Sequence, residues 1–217
     1  TAGGDNTTTT VSGVISGSGG LTKIGAGTLE LSGVNTYTGT TTISAGGITA
    51  SNASALGSTS SGTTVASGAT LSLSNALIDA EALSLTGSLT NAAGTSSFAG
   101  DITLGATSTV TVNGTQLTLS GVIDDGVNTY GITKAGTGIL VLSRANNYDG
   151  VTAISNGTLA LSGSGTLGST TGNTTIASGK TLDLQGANSG TEAISIAGGT
   201  LKASGGVLGS LSTSTIG

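Results

Sequence analysis

The sequence predicts an all-β solenoid: a stack of short parallel strands wound into about ten coils. Three observations carry that prediction. Aliphatic residues alternate with small polar ones in brief runs, the chain repeats itself at long period, and its 217 residues include 40 Gly and no Pro.

The alternation appears in Thr28-Leu29-Glu30-Leu31-Ser32, Thr70-Leu71-Ser72-Leu73-Ser74, Leu83-Ser84-Leu85, Val110-Thr111-Val112 and Leu117-Thr118-Leu119. A period of two puts every second side chain on one face, which is the pattern of a half-buried strand. Gly-, Asn- and Asp-rich turns separate these runs, and no stretch reads as a helix. Ala76 to Leu85 is the one ambiguous run; its counterpart from Ala187 contains Gly190 and reads as turn then strand.

The repeat has a period of 111 residues, from GLTKIGAGTLELSG at Gly20 to GITKAGTGILVLSR at Gly131. NTYTG at Asn35 answers NNYDG at Asn146, TTVASGATLSL at Thr63 answers TTIASGKTLDL at Thr174, and EALSLTG at Glu81 answers EAISIAG at Glu192. Upstream the offset drops to 108, from Thr9 to Leu117, so three extra residues fall between Ile123 and Ile132. Strands this short would make a thin sandwich core, the structural alternative. Stacked as coils they set one aliphatic row above another, with backbone groups paired to the coils on either side. The lack of Pro suits such a ladder, where each missing N–H breaks a bond. Coils of about 20 residues give five or six per copy and a rod roughly 50 Å long. The expected organisation is one continuous solenoid over residues 1–217, with copies at about 9–116 and 117–217.

Composition narrows function by exclusion. With no His and no Cys, His-based triads, thiol nucleophiles and the usual zinc, haem and iron–sulfur ligand sets cannot be built, and no cofactor is expected. Five scattered cations in a chain of net charge -5 make no phosphate-binding stripe, and 2% aromatic residues offer no stacking platform, so nucleic acid is not an expected partner. No apolar run has the length of a membrane helix, so no membrane insertion is expected. The chain opens at Thr1 with no basic or apolar leader, which suggests removal of an export signal or excision from something longer.

GGLTKIGAGTLELSG, NTYTG and TTTISAGGI, from Gly19 to Ile48, closely resemble the autotransporter-associated β-strand repeat of bacterial passenger domains and large surface proteins. The resemblance recurs from Gly131 to Leu159 and extends to ALGST at Ala55 and TLGST at Thr166, with Arg144 and Ala145 in place of the Gly33-Val34 turn. It implies a right-handed parallel β-helix exported to a bacterial cell surface or matrix, usually as a stalk or adhesive region.

Candidate sites are few. Asp124 and Asp125, the adjacent carboxylates, sit in the three-residue expansion, where insertions on a solenoid mark a binding face; on extended chain they point to opposite sides and read first as a solvated turn. Tyr130 in the same loop is a candidate surface contact. Tyr37 and Tyr148 hold matched turn positions and read as rings packed on the neighbouring coil, with sugar stacking the alternative. Lys23, Lys134, Glu81 and Glu192 recur and read as solvated edges. GSGGLTKIG lacks the Asp of calcium-binding nonapeptides, so no structural metal is expected. Thr40 and Thr42 point outward as an ice-binding rank would, but Val151 and Ala153 interrupt that rank one copy later.

Uncapped strand edges invite pairing, and both ends read as interior coils. Head-to-tail association into a homo-oligomeric fibre is therefore expected, through Val11 and Val14 at one end and Leu208 and Leu211 at the other. The function expected is a non-enzymatic extracellular structural and adhesive solenoid, with surface glycans or neighbouring cells as partners. A segment of an autotransporter adhesin passenger and a carbohydrate-binding or carbohydrate-cleaving β-helix are the alternatives.

Overall fold

A computed structural model describes residues 7–187 and 192–203. Every strand pairing among them is parallel, and each strand pairs with its counterpart one coil away, as a solenoid requires. No described residue is helical, and Ala76 to Leu85 resolves into the strands Leu77–Ile78 and Leu83–Leu85.

The coil has three faces. A ten-stranded face runs from Thr8–Val11 to Ala193–Ile196, a six-stranded face from Leu21–Lys23 to Ile123–Asp124, and a seven-stranded face from Leu77–Ile78 to Thr200–Lys202. Between Leu77 and Asp124, where strands form on all three faces, the chain visits the six-stranded, ten-stranded and seven-stranded faces in that order. Coil length varies from 18 residues, Thr70 to Ser88, to 24, Ser108 to Ile132, and the longest coil holds the expansion after Ile123.

In-register pairing turns the alternation into rows. On the ten-stranded face Leu29, Ile48, Leu71, Leu89 and Val110 lie one above another, and Leu117, Leu140, Leu159 and Leu182 do the same on the seven-stranded face. All nine are buried in one continuous cluster. On the ten-stranded face their outward neighbours are Thr, Ser, Gly47 and Glu30, whose carboxylate accepts a bond from Thr10 in the coil beside it, whereas on the seven-stranded face Val141 and Ala160 are buried on that parity as well.

The 111-residue repeat does not fit a whole number of coils. Leu21–Lys23 belongs to the six-stranded face, but its counterpart Ile132–Ala135 belongs to the ten-stranded one; Thr28–Leu31 and Ile139–Leu142 are likewise one face apart. Each copy therefore spans five coils and one further face.

Three asparagines clamp the stack along its axis. Asn35 Oδ1 accepts from Ile15 N at 2.9 Å and its Nδ2 donates to Ala55 O at 2.6 Å, so one side chain joins three coils. Asn146 does the same between Ile123 N and Thr166 O, both at 2.9 Å. Asn91 sits beside a bulge, donating to Gly94 O and Gln116 O and accepting from Ser96.

Truncating Leu31 or Leu142 to Ala, both fully buried, should cost about 2 to 5 kcal/mol, the range for cavity-forming changes. Glu30→Ala, on the outward parity of the same strand, should cost under about 0.5 kcal/mol, and thermal melts of the three variants check that order.

Candidate functional site

The rows are not purely aliphatic, and their polar members are the least ordinary chemistry in the chain. Lys23 stands in line with Ile43, Val65 and Leu85, and Lys134 in line with Val110 and Ile154. Both lysines are buried, which corrects the expectation of solvated edges. The reason is parity: Lys23 lies two residues from inward Leu21, and Lys134 two from inward Ile132. Each ammonium reaches the corner beyond its strand and donates to three turn carbonyls. Lys23 Nζ lies 2.9, 2.7 and 3.2 Å from the carbonyls of Ile24, Gly25 and Ala45, and Lys134 Nζ lies 2.8, 2.8 and 3.0 Å from those of Ala135, Gly136 and Asn156. Burial pushes both ammonium groups down in pKa, that of Lys134 to about 8.

A second polar station forms around each stacked threonine pair, Thr41 above Thr63 and Thr152 above Thr174. The Tyr37 hydroxyl bonds Thr41, which donates to Leu56 O at 2.9 Å; Thr63 donates to the Glu81 carboxylate. In the second copy Tyr148 bonds Thr152 at 2.6 Å, Thr152 donates to Leu167 O at 2.7 Å, and Thr174 donates to Glu192 at 2.7 Å. Both rings lie inside the solenoid against the next coil, as expected, which removes them from sugar stacking. A glycine at positive φ roofs each ring: a Cβ on Gly57 would lie 2.6 Å from the Tyr37 ring, and one on Gly168 2.8 Å from that of Tyr148.

Glu81 and Glu192 are buried too, a second correction with the same cause, since Leu83 and Ile194 two residues on point inward. Desolvation raises both carboxyls to about 7, partly offset by the threonine bonds. Glu192 Oε2 is buried without a hydrogen-bond partner among the described residues. Burial, opposed by Thr41 and reinforced by Glu81, pushes Tyr37 up to about 12.

The expanded loop is held rather than free. Asp125 is buried, not solvated as expected; its carboxylate accepts from Tyr130 N at 2.7 Å and Asp149 N at 3.3 Å. Asp124, pointing the other way, accepts from Gly126 N at 2.6 Å and from the Asn147 amide. The two carboxylates thus fold their own loop and do not converge. Tyr130 is half-buried on the core, and the exposed tip of the loop is Val127. Asp149 in the adjoining turn accepts from Ser169 and Thr171, and those bonds hold its carboxyl below the usual range. On the outer side of the ten-stranded face, Gly47 leaves a groove of about 450 Å³ between Thr28 and Thr70, lined by glycines and small side chains such as Ala26, Thr49 and Ser72. Val11 is half-buried beside Leu31 and Val14 is exposed; Leu208 and Leu211 lie outside the described residues.

Residues 21–50, 132–161 and 180–203 match the passenger-associated-transport-repeat family. The chain carries passenger-associated-transport-repeats. It is also 39% identical, over an alignment of 283 residues, to the adhesin BmaC autotransporter of Brucella suis biovar 1 (strain 1330), covering 89% of this chain and 8% of that protein. The chain thus spans a small fraction of that relative's length, and no solved structure matches it.

Each of the first two matched repeats contains a lysine corner, an asparagine clamp and a tyrosine–threonine pair: Lys23, Asn35, Tyr37 and Thr41 in one, Lys134, Asn146, Tyr148 and Thr152 in the other. In this chain, therefore, the first two matched segments share a set of buried polar devices at the coil corners. The loop around Asp125 lies outside all three matches.

These buried ionisable groups give the repeats a pH signature. Glu81 and Glu192, raised from 4.5 to about 7 on folding, keep protons that the unfolded chain releases, so stability is full below about pH 4.5 and falls as pH rises to about 7. Lys134, lowered from 10.5 to about 8, has the opposite sign, so stability recovers as pH rises from about 8 toward 10.5. Thermal melts across this range should show a minimum near neutral pH, and Glu81→Gln with Glu192→Gln should abolish the acidic limb, worth at the most about 3.5 kcal/mol for each carboxyl (about 1.4 per pKa unit).

Proposed function

We propose that this chain is a section of an exported adhesin passenger: a stiff, non-enzymatic β-solenoid that holds its flanking parts away from a bacterial surface. The observation that carries this reading is the unbroken ten-stranded parallel face, half of whose strands lie in segments that match the transport repeat. At the usual strand spacing that face spans roughly 45 Å, and its in-register bonds run along the axis that a stalk must load.

The adhesin relative supports the surface location, and its name supplies the adhesive role. A carbohydrate-cleaving β-helix would require two carboxyls converging on one substrate, whereas Asp124 and Asp125 are each occupied in closing their own loop. Glu81 and Glu192 are enclosed by threonine and tyrosine side chains and face no cleft.

Two measurements test the reading. Antibodies against this chain should label intact cells of the source bacterium as strongly as permeabilised ones, and labelling only after permeabilisation would defeat the surface assignment. A glycan array joined to a reducing-sugar assay should show no turnover; specific binding with sugar release would replace the stalk by an enzyme.

A further inference from the structure

Two Asn-Gly-Thr sequences occur in the chain, at Asn113-Gly114-Thr115 and Asn156-Gly157-Thr158, and the fold treats them in opposite ways. An asparagine followed by glycine can lose ammonia when the glycine nitrogen attacks its side-chain carbonyl carbon and closes a five-membered imide. The reaction needs a nitrogen that is free to lose its proton, a side chain folded back onto it, and stabilisation of the charge that develops on the intervening peptide oxygen.

At the first site that nitrogen is committed to the stack. Gly114 N donates to the backbone carbonyl of Asn91 at 3.1 Å, and the neighbouring Asn113 N donates to the same oxygen at 2.9 Å. At the second site Gly157 N donates to the Oδ1 of Asn156 itself, at 2.9 Å, so the side chain already lies against the nitrogen that would attack it. The ladder resumes one residue later, with Thr158 N donating to Gly138 O.

The second observation is the lysine corner. Lys134 Nζ lies 3.0 Å from the carbonyl oxygen of Asn156, the oxygen of the peptide bond whose nitrogen belongs to Gly157. When that nitrogen loses its proton, the negative charge spreads onto this oxygen, where a buried ammonium is already in place and needs no rearrangement. In the first copy Lys23 makes the same contact with Ala45 O, but Ala45 has no side-chain amide. Asparagine at 156 is thus not needed to build the corner, and its presence adds a reactive group to an arrangement that is otherwise structural.

We propose that Asn156–Gly157 is a self-modification site at which Lys134 promotes deamidation of Asn156. The Gly157 nitrogen gives up its proton and bonds to Asn156 Cγ; the Cγ–Nδ2 bond breaks and Nδ2 departs as ammonia with a proton in exchange. Water then opens the imide at either carbonyl, leaving an aspartyl or an isoaspartyl residue at position 156. No oxidant or reductant takes part. Either product adds a negative charge next to the buried lysine corner, and the isoaspartyl form also lengthens the backbone between the strands Thr152–Ile154 and Thr158–Leu161.

The two sites make their own control, because the shared Asn-Gly-Thr sequence gives them similar reactivity once unfolded. The whole chain is aged in warm buffer near pH 7, where Lys134 keeps its proton, natively and in urea, and peptide mapping by mass spectrometry follows the amide-to-acid mass gain at each site, with an isoaspartyl methyltransferase assay for the linkage. Position 156 should convert roughly tenfold or more faster than 113 in the native chain, as one charge-assisted hydrogen bond allows, and the ratio should fall to near one in urea. A native ratio of one or less, or a ratio that survives in urea, overturns the proposal. Lys134→Met, checked for folding by its melt, should lower the native ratio several-fold, the ladder bonds at Asn113 being untouched; an unchanged ratio in a folded variant also overturns it. Should that variant not fold, the native and urea rates of the unaltered chain decide.

Discussion

Parallel in-register stacking is the constraint from which the rest of this structure follows. Each coil's backbone groups bond to the coils on either side, so a side chain in one coil sits directly over a side chain in the next. Interior composition is therefore a property of rows, and a change at one rung is felt by the rung above and below it. Leu, Ile and Val fill most rows because identical branched side chains pack on one another at strand spacing without leaving voids.

A polar residue in such a row needs a partner along the axis or at a corner, since water does not reach it. The chain solves this in three ways. Asparagines bridge the coil before and the coil after; lysines extend past the strand to collect turn carbonyls; stacked threonines pass hydrogen bonds from a tyrosine on one side to a glutamic acid on the other. The Glu192 oxygen left without a described partner shows that the last device is the least completely satisfied, and the raised carboxyl pKa values express the same cost.

Most of the fold was legible in the sequence, because period two and the long repeat both report the stacking directly. The inward placement of Leu31 and Leu142 and the outward placement of Glu30 follow from alternation and hold in the structure. Lys23, Lys134, Glu81 and Glu192 were misread although the same alternation, counted from Leu21, Ile132, Leu83 and Ile194, places all four inside. Charge alone favours solvent for these four side chains, but the alternation of their strands is the stronger determinant. Asp125 was misread for a different reason: its burial depends on Tyr130 N and on Asp149 N in the next turn, a contact that spacing within one loop cannot reveal. Nor could the sequence show which turn nitrogens stay out of the ladder, and that distinction separates Asn156 from Asn113.

The mismatch between repeat and coil bears on how such a rod meets its surroundings. A repeat of whole coils would place every copy of a turn on one side, giving a single lined face. Here a copy spans five coils and one face more, so the turn carrying Tyr37 closes the side that the seven-stranded face later occupies, and the turn carrying Tyr148 closes the side of the six-stranded face. The buried polar stations are distributed in the same way: Lys23 interrupts a row on one face and Lys134 a row on another, so no single row carries both. Keeping the costly interior positions on separate faces leaves long aliphatic runs on each, while repeating the sequence presents the same turn in a new direction. For a rod that must hold its shape and present turns to every side, five coils and a face is a more useful period than five coils alone.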